Sequence, residues 1–239
     1  MKRLCLTVWL CLAGVTLFAQ ADLSTAEELY RQGKFSAALS QYEELLKNYP
    51  NDPFVYYNIG NCYFKMGSRG LATANYYRAF RLAPRDKDIR HNLALALEQS
   101  GERLVPNGMP VILHQAFFAL SYDELKGLAY VLFWVVCVLS AVCLWRRKWN
   151  GLATLSCVLC VLCAGWLYAR RQAQAPMLAV IAAPVAEVRS GPGSNFPASA
   201  NVAQGHLVTI LDSKDTWDEV VVSSQGLKGW IEQSAVEKI

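Results

Sequence analysis

Charge is scarce in this chain of 239 residues: Asp, Glu, Lys and Arg make up 18%, against 54% hydrophobic residues. So little charge beside so much apolar residue excludes intrinsic disorder and points to membrane segments. Basic and acidic residues nearly cancel over 22–124 and again over 170–239. The net charge of +4 traces to Lys2, Arg3, Lys126, Arg146, Arg147 and Lys148, which flank apolar runs. A nucleic-acid partner would need a basic face on a folded domain, so none is expected. Histidine is rarer still. His91, His114 and His206 fall in three separate segments, and none adjoins a Ser or Cys in a recognisable catalytic pattern. No Walker loop, Rossmann fingerprint or His-Glu-x-x-His helix occurs, and the long apolar runs hold no Asp, Glu, Lys or Arg for transport or proton relay. Neither an enzyme nor a transporter is expected, and no catalytic residue, metal ligand or cofactor is assigned.

The soluble parts are almost free of cysteine. Of eight cysteines, Cys5 and Cys11 lie in the N-terminal apolar run, and Cys137, Cys143, Cys157, Cys160 and Cys163 lie in two later ones. Only Cys62 remains, which excludes an intramolecular disulfide framework and suits an oxidising compartment. Cys157-x-x-Cys160-x-x-Cys163 invites a metal or redox reading. No His or carboxylate stands near to complete a site, and small polarizable side chains packing between helices are the plainer account.

What is present falls into three parts. Lys2-Arg3, the uncharged run Leu4–Phe18 and Ala19-Gln20-Ala21 read as a secretory signal peptide over 1–21, with an uncleaved anchor as the alternative. A repeat of 34 residues follows: Gly33 and Gly67, Ala38 and Ala72, Tyr42 and Tyr76, Pro50 and Pro84 are all 34 apart. The second unit carries Tyr56-Tyr57-Asn58-Ile59-Gly60-Asn61-Cys62-Tyr63-Phe64-Lys65-Met66-Gly67, then Ala72, Tyr76, Ala79 and Pro84. It resembles the tetratricopeptide repeat (TPR). Gly60 and Ala72 are small where two antiparallel helices would cross, Tyr63 and Tyr76 fill the space beside them, and Pro84 stops the second helix. A first unit over Leu23–Pro50 departs from the pattern, as a terminal repeat does, and a further helix over Asp88–Ser100 repeats Asn92-Leu93-Ala94. Five helices are expected over 22–104, an all-α repeat domain.

A linker over 105–124 contains the short apolar stretch Val111–Leu120, too short to span and expected to lie at a membrane surface or on the repeats. Ser121 and Glu124 form a capping-box pattern. Two uncharged runs follow, read as transmembrane helices over 125–145 and 151–169 and joined by the basic turn 146–150. After a linker over 170–176, alternation of period two sets in. Val202–Leu211 and Trp217–Val222 read as strands, with turns at Ser213–Asp215 and Ser223–Gly226. Val185–Gly193, Gly205, Val208, Trp217 and Gly229-Trp230-Ile231 resemble the signatures of bacterial SH3-like domains, so 177–239 is expected to be a small all-β barrel.

Both resemblances imply interaction modules. From the TPR family, the groove-facing residues would be Tyr57, Asn61, Phe64 and Lys65, then His91 and Leu95, with Asn58 and Asn92 at the family's recurring Asn. Cys62 falls where that family favours a small residue, which implies a buried, inert thiol. From the SH3-like family, Phe196 and Trp217 would be surface aromatics, and Trp230 is read as core. The order of signal, repeats, two membrane helices and SH3-like domain resembles the E-type component of the bacterial aerotolerance (Bat) operon. That resemblance implies a scaffold in the bacterial inner membrane. Both soluble domains would lie on the periplasmic or extracellular side, working with membrane-bound von Willebrand A-domain proteins and a MoxR-type ATPase. The alternative reading is an envelope sensor or wall-binding protein that grips peptidoglycan through its SH3-like domain.

Overall fold

The computed structural model describes residues 23–106, 108–146, 150–174 and 177–239. The expected signal peptide, the basic residues Arg147 and Lys148 and the helix breaker Pro176 lie outside the described residues. The chain forms two compact units, one from residues up to Leu104 together with Ala179–Ile239, the other from Val105–Leu178.

The first unit begins with five helices: α1 (23–31), α2 (Phe35–Asn48), α3 (Pro53–Lys65), α4 (Arg69–Leu82) and α5 (Lys87–Gln99). Their ends are written in the sequence. Asp52 and Asp86 cap α3 and α5, each accepting backbone N–H bonds from the two residues that open the next turn. Gly33, Gly67 and Gly101, again 34 apart, close α1, α3 and α5 with φ of +75°, +81° and +76°. Each stop is a Schellman turn, with Lys34, Ser68 and Glu102 donating to the carbonyls of Leu29, Tyr63 and Leu97.

The helices pack where the repeat is small. A Cβ on Gly60 would stand 2.7 Å from the Tyr76 ring and 3.3 Å from the Ala72 carbonyl oxygen, so α3 and α4 touch nearly backbone to backbone. Ala26, Ala38, Tyr42, Leu45, Val55, Ile59 and Cys62 make the core of the N-terminal repeat. Cys62 is fully buried, and burial pushes its thiol up to about 11.

The C-terminal part is one antiparallel sheet of seven strands: β1 (Met177–Ile181), β2 (Val185–Arg189), β3 (Ala198–Ala203), β4 (Leu207–Lys214), β5 (Trp217–Val222), β6 (Leu227–Glu232) and β7 (Val236–Lys238). Their order is β3-β2-β6-β5-β4-β1-β7. Alternate residues point inward, and Ala186, Val188, Val202, Val208, Ile210, Val220, Val222 and Ile231 form the core. Two expectations need correction. The strand expected over Val202–Leu211 is two strands, because Gly205 turns the chain with φ +92° and its N–H bonds to the Ile181 carbonyl. Trp230 is half-buried on the outer face and not in the core: it stands opposite Glu219 and Arg189, while its neighbours Gly229 and Ile231 point inward.

Although 74 residues lie between Leu104 and Ala179, the sheet packs on the repeats. A Cβ on Gly70, in the first turn of α4, would lie 2.1 Å from the Ile181 carbonyl oxygen. Arg78 pairs with Glu237 at 2.5 Å and also donates to the Lys238 carbonyl, and Arg81 donates to the Ile239 carbonyl at 3.0 Å. At the end of α5, the Ser100 hydroxyl donates to the Gly205 carbonyl at 3.0 Å, and His206 Nδ1 lies 3.3 Å from Glu102.

The second unit holds α6 (Val111–Phe117), α7 (Tyr122–Arg146) and α8 (Asn150–Gln174). The Ser121 N–H donates to Glu124, and the Glu124 N–H donates to the Ser121 hydroxyl, so the expected capping box opens α7. Tyr122–Val142 and Thr154–Ala173 are long and apolar enough to cross a membrane by length and composition, and their outward side chains are nearly all exposed. On α8, Cys157 is exposed, Cys160 half-buried and Cys163 buried, as the steps of three residues carry the thiols across one side of the helix. Arg170, at the start of the stretch read from sequence as a linker, belongs to α8 and is buried, donating to the Phe117 carbonyl at the end of α6.

Candidate interaction sites

The first helix of each repeat unit contributes one wall of a groove. A cavity of about 270 Å³ is lined by Tyr30 from α1, Tyr57, Asn61, Phe64 and Lys65 from α3, Tyr76 from α4, and Asn92 and Leu95 from α5. Positions 57, 61, 64 and 65 share one helix face because steps of three, four and seven residues nearly complete turns. Capping by Asp52 and Pro53 fixes where that helix starts, and so which face looks into the groove.

A polar brace forms the groove floor. The Tyr76 hydroxyl donates to Asn61 Oδ1 at 2.8 Å, and Asn92 Nδ2 lies 3.1 Å from both that oxygen and the Tyr57 hydroxyl. The Tyr57 and Tyr76 rings stand 5.9 Å apart at 45°. Burial, then the neighbouring Tyr57 and Tyr30 hydroxyls, push the Tyr76 phenol above its ordinary range, so it stays a neutral donor. Asn61 and Asn92 therefore cross-link α3, α4 and α5, and their free hydrogen-bonding capacity is reduced. The rim is different in kind. Lys65 and Leu95 are exposed, Phe64 is half-buried, and together they offer one cation and two apolar surfaces to an incoming chain.

Two of the expected groove residues do not line this cavity. Asn58 is half-buried on α3 and His91 is exposed on α5, each one position away from a residue that does line it. Conversely, Tyr30 and Tyr76 line it and were not picked out. Tyr76 was read only as packing, and Tyr30 sits in the unit that departs from the repeat pattern.

On the sheet, Phe196 and Trp217 share a neighbour in Arg189. That guanidinium donates to the Ser194 and Phe196 carbonyls at 2.9 and 2.7 Å, pairs with Glu187, and lies 5.9 Å from the centre of the Trp217 ring. The Phe196 ring lies flat on Gly191, where a Cβ would come within 2.6 Å of it, and 38% of the residue is exposed. Trp217 and Trp230 are both half-buried on the outer face, beside Glu219. A second cavity of about 280 Å³ lies where repeats and sheet meet, lined among others by Arg69, Gln99, Gln204 and His206. Among the described residues there is no group of three or more His, Cys, Asp or Glu placed to hold a metal.

Comparison with known proteins agrees with both modules. The profile described as TPR repeat matches residues 26–67, which run from α1 through α3, and the one described as Bacterial SH3 domain matches residues 184–237. Tetratricopeptide repeat protein 16 from Macaca fascicularis and that from Homo sapiens are each 29% identical to this chain over 76 residues. Those residues are 32% of this chain and 9% of the relatives, so the chain spans a small part of their length. Among solved structures, a T3SS complex from Aeromonas hydrophila shares 15% identity, with 63% of this chain and 83% of that chain covered and a TM-score of 0.35. The type III secretion translocator chaperone SycD of Yersinia enterocolitica shares 18%, with 61% and 91% covered and a TM-score of 0.34. Helical repeats of the TPR kind and a bacterial SH3 domain are thus present in one chain, and TPR repeats are protein-interaction modules.

Proposed function

We propose that the protein is a membrane-anchored interaction scaffold of the bacterial cell envelope, holding a protein partner in the groove of its TPR domain. The observation that carries this reading is the groove itself. Phe64, Lys65 and Leu95 ring a cavity whose floor is already stiffened by the Tyr57–Asn92–Asn61–Tyr76 brace. A stiff floor means that a bound segment loses little affinity to ordering the receptor.

Two apolar helices of spanning length support the anchor. The repeats before them and the sheet after them belong to one compact unit. That grouping supports a reading with both on the same side of a bilayer, which two crossings allow and one does not. The module order, with its resemblance to the E-type Bat component, suggests membrane-bound von Willebrand A-domain proteins and a MoxR-type ATPase system as partners, and an aerotolerance role.

The second reading, recognition of peptidoglycan by the SH3-like domain, is favoured by one observation: Phe196, Trp217 and Trp230 leave aromatic surface on the outside of the sheet. The two readings separate by point substitution in the full chain. Leu95→Glu places a charge on the groove rim without touching the brace, and Trp217→Glu does the same on the sheet. Partner capture lost in the first and kept in the second supports the groove. The opposite pattern moves recognition to the sheet.

A further inference from the structure

We propose that α6 is an interfacial helix, its first turn, Val111–Leu113, embedded in the headgroup boundary of a lipid bilayer and held at that depth by Arg170. The proposal rests on the reading of α7 and α8 as membrane spans.

The segment from Met109 to Ser121 contains no Asp, Glu, Lys or Arg. Its helix buries His114 on the packed side and leaves Gln115 exposed beside the aliphatic residues of the first turn. Val111, Ile112 and Leu113 are 56%, 79% and 57% exposed, so the first turn presents large aliphatic surface around more than half of its circumference. In water such a patch is unfavourable; in a bilayer boundary it contributes to binding.

The inner side is bolted to α8. The Phe117 carbonyl accepts from Arg170 Nη1 at 2.9 Å and from Trp166 Nε1 at 3.3 Å. The guanidinium carbon lies 4.4 Å from the Phe118 ring centre and 5.4 Å from that of Phe117, and the His114 ring packs against Phe118 at 4.7 Å, tilted by 40°. Arg170 is 1% exposed. A cation is thus covered by two rings and a carbonyl at the point where α8 leaves its apolar stretch, Thr154–Ala173.

That attachment fixes the level of α6 along the span, and the level has the composition of a membrane boundary. Trp166 and Tyr168 lie there on α8, and at the adjoining start of α7 Lys126 sits 4.7 Å over the Tyr122 ring. Aromatic rings and long cations gather where hydrocarbon meets headgroups. The exposed aliphatic side of α6 is uncharged, like the exposed Tyr130, Val131 and Trp134 of α7. One occupant, lipid, therefore suits both surfaces.

The test uses the full-length protein in vesicles of phosphatidylethanolamine and phosphatidylglycerol, with a benzophenone side chain replacing Ile112, Val135 on α7 or Ser40 on α2. Lipid adducts at positions 112 and 135, each at least fivefold above position 40, are expected. An adduct at 135 with none at 112 overturns the interfacial role of α6 while leaving the spans in place. No adduct at either position overturns the membrane reading itself, and the proposal with it. Crosslinking of position 112 to protein, its own repeats or a second copy, also overturns it. Arg170→Met is expected to lower the adduct at 112 several-fold and leave that at 135 unchanged; an unchanged yield at 112 removes Arg170 from the account.

Discussion

Gly70→Ala is expected to loosen the sheet from the repeats. The added methyl would stand 2.1 Å from the Ile181 carbonyl oxygen and 2.9 Å from the Ala182 Cα, both backbone atoms with no rotamer to change. Relief requires α4 and β1 to separate by about an ångström, a movement of the size that makes overpacking cost about 1–3 kcal/mol. The same movement strains the Arg78–Glu237 pair and the Arg81 bond to the Ile239 carbonyl, which hold α4 to the C-terminal strand. Alanine returns less than about 1 kcal/mol of helix propensity so near a helix start. A net loss of about 2 kcal/mol follows, or roughly 6–8 °C in melting temperature for a unit of this size. Hydrogen exchange on the full-length protein localises the effect, with faster exchange in β1 and in the first turns of α4 and none added in α7 or α8. A variant that melts with the wild type and keeps its protection in β1 would show that the two modules do not pack through this contact.

Gly60→Leu overfills the α3–α4 crossing against the Tyr76 ring and should lower the melting temperature at least as much as Gly70→Ala; unchanged melting would mean that the repeat register is wrong. Asp218 is buried, which alone would raise its pKa, but bonds from Ser213 and Gln233 and the Lys238 ammonium outweigh burial and hold the carboxyl below its ordinary value. A depressed folded pKa stabilises above the unfolded value and loses that contribution as pH falls through the folded one. Asp218→Asn should therefore destabilise the protein at pH 7 and progressively less as the pH falls below the ordinary carboxylate range, and a difference that does not change with pH would refute the charge-based account. Cys62, with its thiol pushed up to about 11, should resist alkylation at pH 8 until the repeats unfold; labelling of the native protein at the unfolded rate would contradict its burial.

The repeats were legible because their signals are local. Gly33, Gly67 and Gly101 stop a helix by backbone geometry, and Gly60 with Ala72 needs only a neighbour one helix away. The β alternation was legible for the same reason. It misled at Val202–Leu211, where the phase of Val202 resumes at Val208 and Ile210 beyond the Gln204-Gly205-His206 turn, and at Trp230, where an aromatic after a buried glycine faces outward. Most of the residues that line the groove were named through the resemblance to the TPR family, whereas Tyr30 was not, because its unit lacks the repeat's aromatic pattern. The contacts between modules were out of reach altogether. Ser100 meets Gly205 across 105 positions and Arg78 meets Glu237 across 159, and neither pair has any periodicity to give it away. Arg170 was hidden differently: it opens the stretch read as a linker, and nothing in the sequence marks which residue there is buried.

The central claim is that the groove holds the partner. Photocrosslinkers replacing Lys65 or Leu95 on the groove rim, and Trp217 on the sheet, can be activated in the full-length protein in its native membrane and the adducts identified by mass spectrometry. The account predicts one discrete protein adduct from positions 65 and 95, abolished by Phe64→Glu, with little or none from position 217. A discrete adduct from position 217 that survives Phe64→Glu, with none from 65 or 95, would contradict it.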